Sequence, residues 1–469
     1  MVANEESRRK NLDQYKKLIM TLSGALNIAA HAGAFGFVWY RFYRPMIDNP
    51  FWNKGNFVLI GIYAVVFILF ARVFGAFRVG YLRNIDVAFS QALAIFFTNI
   101  VFYLQLALIN RWFMPPKFML AMSVVQTLWG IIWVWFARKV YYHIYPPHQM
   151  IVVYGEYDYE DMLAKMERRH DKFHVRASIN ISEGVDKVNE VITNYESVIL
   201  YDLPAAERNI ILKYCFKKNI RVYVTPKISD IILNGTDTIH LFDTPLLLAR
   251  NSGLNVTQRF LKRALDLFVA IPMLILTLPF TLIIAIIIHF TDGGPVFYKQ
   301  ERLTINHQVF MIYKFRSMRM DSEKNGARLA MKDDDRITPI GRFLRKTHLD
   351  ELPQLLNILN GDMSVVGPRP ERPEIAAEYE KVIPEFEYRL AVKAGLTGYA
   401  QVYGKYNTTP YDKLKLDLLY LENYSIFLDL KLILMTVKII FQRENTEGVN
   451  ADQITAQKAP KMNVGNEKR

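Results

Sequence analysis

Four apolar runs decide most of what this chain can fold into. Residues 18–39, 57–77, 87–109 and 118–137 are each about 20 residues long, enough at roughly 1.5 Å per residue to cross a ~30 Å hydrocarbon core. A soluble bundle of four buried helices is the alternative, but soluble helices show a polar face and these runs do not. A cleaved leader would have one shorter apolar stretch, not four. Basic residues set the orientation. Arg8, Arg9, Lys10, Lys16 and Lys17 precede the first run, Arg72, Arg78 and Arg83 surround the loop after the second, and Arg138 and Lys139 follow the fourth. The other two loops are poorer in charge, though Lys54, Arg111 and Lys117 lie there. The positive-inside rule puts the N-terminus and everything after about residue 140 in the cytoplasm. Residues 1–145 are therefore predicted to be a transmembrane domain of four helices.

Composition agrees with a basic membrane protein carrying folded domains. The 469 residues are 51% hydrophobic, with 58 Lys and Arg against 45 Asp and Glu, a net charge of +13. At roughly 150 residues per domain, about three domains are expected. Disordered, collagen-like and disulfide-built chains are excluded. The one cysteine, Cys215, permits neither an internal disulfide nor a cysteine zinc site, so any chemistry belongs to carboxylates, bases or a bound metal ion.

Residues 146–250 read as a small Rossmann-like α/β domain. The β-rich runs 150–155, 198–202 and 220–225 alternate with helical stretches at 159–170 and 205–218, the pattern of βαβ units and a parallel sheet. The first strand ends at Gly155, where a nucleotide fold carries its phosphate turn. Here Glu156, Tyr157 and Asp158 follow in place of further glycines, and an acidic residue repels a pyrophosphate. A structural or regulatory role is expected.

Residues 264–290 form a fifth apolar segment that differs from the others. Pro272 and Pro279 lie inside it, and each removes a helical hydrogen bond. Its flanks are basic on both sides, with Arg259, Lys262 and Arg263 before and Lys299 and Arg302 after. If both flanks are cytoplasmic, the segment enters one leaflet, turns near Pro279 and leaves by the same face. The alternative is a kinked spanning helix that carries residues 291–469 to the other side.

The last 180 residues hold four clusters of charged residues. Lys314 and Arg316 share one face of a strand-like run from Val309, with Phe315 on the other; the pair suits an anion or is a solvated strand face. Asp350 and Glu351 precede a helix marked by Leu352, Leu355, Leu356 and Leu359, with Pro353 tolerated in its first turn. Acidic residues there are normally caps, yet a helix start also favours phosphate or a metal–phosphate complex. Gly367 to Glu371 form a rigid turn displaying Arg369, whose guanidinium matches phosphate bidentately. Lys393 to Gly398 form a glycine-containing loop with a cation and the hydroxyl of Thr397, in a spacing unlike a P-loop.

The runs Lys314-Phe315-Arg316-Ser317-Met318, Leu349-Asp350-Glu351-Leu352-Pro353-Gln354-Leu355, Gly361 through Pro370 and Lys393-Ala394-Gly395-Leu396-Thr397-Gly398 together resemble the bacterial sugar transferases. These are the polyprenyl-phosphate glycosyl-1-phosphate transferases. The likeness covers about residues 255–445, and the front helices with the α/β domain resemble the large form of the family. Two local departures are Ala394, where many members have Pro, and His348, where a small polar residue is common; both are expected to be tolerated.

The resemblance implies a mixed α/β monotopic catalytic domain at 255–445, whose membrane segment 264–290 is re-entrant with its break at Pro279. It implies transfer of a hexose-1-phosphate, with glucose or galactose expected, from a UDP-sugar to undecaprenyl phosphate. UMP leaves, and exopolysaccharide, capsule or O-antigen synthesis begins. Asp350 is implied as nucleophile, with Glu351 helping to hold Mg²⁺, the expected cofactor. Arg316, Arg369 and Lys393 are implied to grip phosphate, with Lys314, Arg345 and Thr397 as further phosphate-site candidates. The implied place is the bacterial inner membrane, in contact with its lipids. A homodimer is compatible with the pattern, but no interface can be named.

Donor and product each contain one phosphoanhydride, so the exchange needs no ATP. Catalysis then reduces to positioning and neutralisation of charge. Residues 411–442 read as a last helix, either lying on the membrane surface or packed, and 446–469 as a disordered tail. Other classes fit less well. A membrane-tethered nucleotide sensor would act through 146–250. A transporter lacks a convincing intramembrane acidic pair. A nucleic-acid binder would need a basic stripe with exposed aromatics, and the cations sit instead at loop ends and in the four clusters.

Overall fold

A computed structural model describes residues 2–48, 51–145, 148–156, 159–167, 173–250, 253–292, 294–319, 336–404 and 408–440. The chain divides into two compact units, the first comprising 1–225 and the second beginning at Pro226.

The first unit opens with four long helices: α1 (Val2–Val38), α2 (Asn53–Phe74), α3 (Asn84–Asn110) and α4 (Lys117–Ile144). A π-helical turn, Trp39–Tyr43, extends α1, and Gly75 in the left-handed region caps α2 (φ 74°). The outside of the bundle is apolar: Phe57, Leu108 and Leu120 are all largely exposed. The inside carries the polar groups. Tyr63 donates to Asn99 Oδ1 at 2.7 Å, Asn99 donates to Gln126 Oε1 at 2.9 Å, and Gln126 donates to the His31 carbonyl at 3.0 Å. Trp39 donates to Asn56 Oδ1 at 2.8 Å. Polar groups inside and hydrocarbon outside is the arrangement for a chain whose solvent is lipid. These helices, together with a fifth at Val256–Thr291, are long and apolar enough to cross a membrane.

A four-stranded parallel sheet follows, in the order β2-β1-β3-β4. Its strands are β1 (His148–Tyr154), β2 (Phe173–Asn180), β3 (Ser197–Tyr201) and β4 (Arg221–Val224), with α5 (Glu160–Glu167), α6 (Val185–Ile192) and α7 (Ala205–Lys218) between them. Strand β2 and helix α6 were not anticipated. The sequence Phe-His-Val-Arg-Ala-Ser-Ile-Asn alternates apolar and polar residues, as expected of an edge strand with one wet face. The end of β1 packs closely against the ends of β2 and β3. A Cβ on Gly155 would strike the Asp202 carbonyl, and Asn180 donates to the Gly155 carbonyl at 3.1 Å.

Residues 226–250, assigned from sequence to the α/β domain, pack in the second unit. Here α8 (Ile228–Asn234) buries Ile228 and Ile231 against Leu303, Leu414 and Leu418. The hairpin β5 (Asp237–Leu241) and β6 (Thr244–Leu248) leads to α9 (Val256–Asp292). Helix α9 stays helical through Pro272 and Pro279, with no separate loop at the position where the sequence argument places a turn. Thr277 and Thr281 bond back to the Met273 and Thr277 carbonyls at 2.7 and 2.9 Å, as threonines in helices do. Both halves of α9 pack on the same unit: Val269, Ala270 and Leu274 against Ile358 and Val365, and Ile284 and Ile288 against Phe315 and Leu344.

The remainder of this unit surrounds the charged clusters. A hairpin, β7 (Phe297–Leu303) with β8 (Val309–Phe315), precedes α10 (Pro339–Thr347) and α11 (Gln354–Asn360). Then come β9 (Ser364–Val366), α12 (Pro373–Val382), a 3₁₀ stretch over Pro384–Ala391, β10 (Gly395–Thr397) and α13 (Tyr399–Tyr403). Strands β9 and β10 pair in parallel. A Cβ on Gly395 or Gly398 would overlap the backbone of Gly367, so only glycine lets these segments meet. The expected single last helix is two, α14 (Pro410–Glu422) and α15 (Ile426–Ile440). Asn423 ends the first, and Ser425 Oγ accepts from the Leu428 amide at 3.1 Å to start the second. Helix α15 packs into the core on one face: Leu432 is fully buried and Leu428, Ile433 and Met435 join the same cluster. The predicted tail at 446–469 lies outside the described residues.

Candidate active site

The site is built where three short elements end. At the close of β8, Phe315 turns inward against Ile284 and Ile288 of α9. Alternation then leaves Lys314 pointing away from that core. Helix α10 stops at His348, which is in the left-handed region (φ 57°). That reversal starts a 3₁₀ turn, Leu349–Glu351, and Pro353 then begins α11. Leu349 and Leu352 pack beside Phe315 and Leu344. The apolar neighbours of the carboxylates therefore fix the turn, and Asp350 and Glu351 are left on its polar side, half-buried.

Cations converge on this pair. Lys314 Nζ lies 2.7 Å from Glu351 Oε1, and Arg369 Nη2 lies 3.4 Å from the same oxygen. The two carboxyls are pushed apart in acidity. Burial raises the Asp350 carboxyl and the charge of Glu351 raises it further, against the pull of Lys314, Arg345 and His348. Burial also works to raise Glu351, but Lys314 and Arg369 overcome it and hold that carboxyl below its ordinary range. Two adjacent carboxyls with divergent acidities suit different chemical roles.

Lys314, Arg345, His348, Asp350, Glu351 and Arg369 thus form one cluster. Arg316 is buried at the end of β8, with its amide donating to the Val296 carbonyl at 3.0 Å. Lys393 and Thr397 are engaged elsewhere. Lys393 donates to the Gly361 carbonyl at the far end of α11, where Arg263 also donates to the Ile358 and Leu359 carbonyls at 2.6 and 2.8 Å. These two cations cap the C-terminus of the helix whose N-terminal side holds the dyad. Thr397 Oγ1 is 2.6 Å from Thr436 Oγ1 of α15. Pro279 lies inside α9.

The charged network around the Arg369 turn was missed by sequence reasoning. Arg389 donates to Asp417 through Nε at 2.9 Å and to the Arg369 carbonyl through Nη2 at 2.9 Å. Arg302 donates to the Pro370 carbonyl at 3.0 Å. A signal existed at Asp417, which shares the buried stripe of Leu414 and Leu418 on α14. A carboxylate at that spacing needs a partner.

No group of three or more His, Cys, Asp and Glu side chains forms a metal cage among the described residues. The Asp350–Glu351 pair suits a different mode of metal binding. Mg²⁺ is commonly held by one or two carboxylates, with substrate phosphates completing its octahedron, and Asp350 is a carboxyl whose ionisation a nearby cation would favour.

Residues 257–443 match the model of a family described as bacterial sugar transferase. The exopolysaccharide production protein PSS of Rhizobium leguminosarum bv. phaseoli is 42% identical over 186 residues, covering 38% of this chain and 93% of that protein. The UDP-N-acetylgalactosamine-undecaprenyl-phosphate N-acetylgalactosaminephosphotransferase of Aeromonas hydrophila is 34% identical over 262 residues, 55% of this chain and 61% of that one. A UDP-glucose:undecaprenyl-phosphate glucose-1-phosphate transferase of Klebsiella pneumoniae is 40% identical over 210 residues, 44% of this chain and 43% of that one. The chain thus spans about two fifths to three fifths of the length of these last two relatives. The cluster around Asp350 lies within the residues that the family model matches.

Proposed function

This chain belongs to the bacterial sugar transferase family, and on that premise we propose that it is an undecaprenyl-phosphate glycosyl-1-phosphate transferase. It takes a sugar-1-phosphate from a UDP-sugar to undecaprenyl phosphate at the cytoplasmic face of the membrane and releases UMP. The step opens the synthesis of an exopolysaccharide, capsule or O-antigen repeat unit. The observation that carries this reading is the carboxyl pair, one acidity raised and one lowered, ringed by Lys314, Arg345 and Arg369.

Chemistry proceeds by two displacements at one phosphorus. An Asp350 carboxylate oxygen attacks the phosphorus that bears the sugar. The bond to the bridging oxygen breaks, and that oxygen leaves with its electron pair as part of UMP. An oxygen of undecaprenyl phosphate then attacks the same phosphorus, and the Asp350 carboxylate departs. One phosphoanhydride is exchanged for another, and the anionic acyl phosphate exists only between the two steps. Arg369 and Lys314 flank Glu351 and neutralise charge on the donor phosphates. Asp350 and Glu351 are the residues that would hold Mg²⁺, which would supply further neutralisation of phosphate charge.

The membrane reading rests on α9. Its two halves pack on one unit, which supports both flanks lying on one side and a segment that enters and leaves the same leaflet. That depth suits a lipid whose phosphate sits at the headgroup plane. The close packing at Gly155 supports a structural or regulatory role for the α/β domain over nucleotide sensing.

The test is UMP release by membranes holding the full chain, given undecaprenyl phosphate, Mg²⁺ and UDP-glucose, UDP-galactose or UDP-N-acetylgalactosamine. Release that requires both lipid and one sugar supports the reading; silence with a wider donor panel removes it. The acidity of Asp350 gives a second expectation. The nucleophile must be ionised, so kcat/KM falls on the acid side as Asp350 takes up its proton. Arg345→Gln removes a cation that favours ionisation, so the limb moves to higher pH, by about half a unit or more. A limb that stays in place, or moves lower, contradicts the placement of Arg345 beside Asp350.

A further inference from the structure

The turn that presents Arg369 is held by more bonds than its own strand requires. Four successive carbonyls each accept a hydrogen bond, from donors on three other segments of the chain. Pro368 accepts from the Gly395 amide at 2.9 Å, Arg369 from Arg389 Nη2 at 2.9 Å, Pro370 from Arg302 Nη1 at 3.0 Å and Glu371 from the Leu303 amide at 3.0 Å. One of these donors, Arg389, is a buried guanidinium, and a second, Arg302, is a half-buried one. Placing a charged fork under a turn costs desolvation, and a neutral amide would satisfy a carbonyl without that cost. Arg389 is balanced by Asp417, at 2.8 Å from Nη2 and 2.9 Å from Nε, both side chains being almost wholly buried.

The placement explains the arrangement. Arg369 is half-exposed and reaches Glu351 at 3.4 Å. A long, half-exposed side chain aims a charge well only if its backbone is fixed. A guanidinium offers several donors in one rigid plane, so a single Arg389 can tie the Arg369 carbonyl to α14 through Asp417. A lysine has one nitrogen and cannot keep both bonds in the same geometry.

We propose that Arg389, seated on Asp417, is a positioning residue that aims Arg369 at the reacting phosphate by holding its main-chain carbonyl. The inference rests on the transferase reading. If Arg389 acts through Arg369, removing Arg369 removes what Arg389 contributes.

The experiment is a double-mutant cycle on the full chain, reading kcat/KM for the active donor with Arg369→Ala, Arg389→Lys and the pair combined. Arg369→Ala is expected to lose about 100-fold and Arg389→Lys about 10-fold, and the combined variant should be no worse than Arg369→Ala within about twofold. Losses that multiply to about 1,000-fold, or an Arg389→Lys variant within twofold of the wild type, overturn the proposal. If Arg389→Lys does not fold, the same cycle is run with Arg302→Lys, which acts on the Pro370 carbonyl. Loss of fold in both overturns it, because the guanidiniums would then be core supports. The wild-type chain separates the two readings: an active wild type with multiplying losses removes only the positioning role, whereas a wild type silent with every donor removes the transferase assignment and this role with it.

Discussion

Asp350→Asn is expected to lower UMP release by at least about 10³-fold while leaving the chain folded. The substitution changes one oxygen to an amide nitrogen and keeps the shape of the 3₁₀ turn, which Leu349 and Leu352 hold from the apolar side. An amide cannot attack phosphorus and leave again as a carboxylate. Stability should hold or improve slightly. The ionised Asp350 is half-buried beside Glu351 and its carboxyl is raised by burial, so at neutral pH the folded protein carries an unfavourable charge that the asparagine lacks. The measurement pairs initial rates with a melting curve on the same preparation. Full activity in a folded variant would remove Asp350 as nucleophile and turn attention to direct attack by the lipid phosphate. Low activity with a large drop in melting temperature would show that the carboxylate serves the fold, contrary to the proposal.

The sequence exposed the dyad because its signals are local. Asp350 and Glu351 stand between apolar residues and a proline that can only begin a helix, so their place at a helix start follows from three or four neighbours. The same logic gave Phe315 inward and Lys314 outward, and the four apolar runs. What remained hidden depends on contacts far apart in the chain. Lys393 looks like a phosphate-binding cation next to glycines, yet its partner is the Gly361 carbonyl, 32 residues away, and no local pattern announces a helix end needing a cap. Arg389 and Asp417 are 28 residues apart and gain meaning only together. The missed β2 is an edge strand with a polar face, whose half-hydrophobic pattern is weak by nature. The single helix expected over 411–442 failed at Asn423 to Ser425, where side-chain caps outweigh continuing apolar periodicity.

The largest stability effect is expected at a site outside the chemistry. Lys262 Nζ lies 2.8 Å from Asp429 Oδ2, and Tyr420 donates to Asp429 Oδ1 at 2.8 Å, with all three side chains buried. This joins the first turns of α9 to α14 and α15. The neighbouring residues of α9 do related work: Arg263 caps α11, and Asp266 accepts from Ser364 Oγ and the Val365 amide at 2.8 Å each. One helix start thus ties α9 to the helix following the dyad and to the strand leading to Arg369. Asp429→Ala strands the Lys262 charge in a dry site, a change that costs about 3–5 kcal/mol. At roughly 2–4 °C per kcal/mol for a unit of this size, the apparent melting temperature of the full chain in lipid nanodiscs should fall by about 10 °C. Replacing both partners, Lys262→Met with Asp429→Leu, removes charge and counter-charge together, and most of that loss should return. A double variant as unstable as Asp429→Ala would mean that the bonds to Tyr420, not the ion pair, hold α9 in place, and Tyr420→Phe would then reproduce the loss.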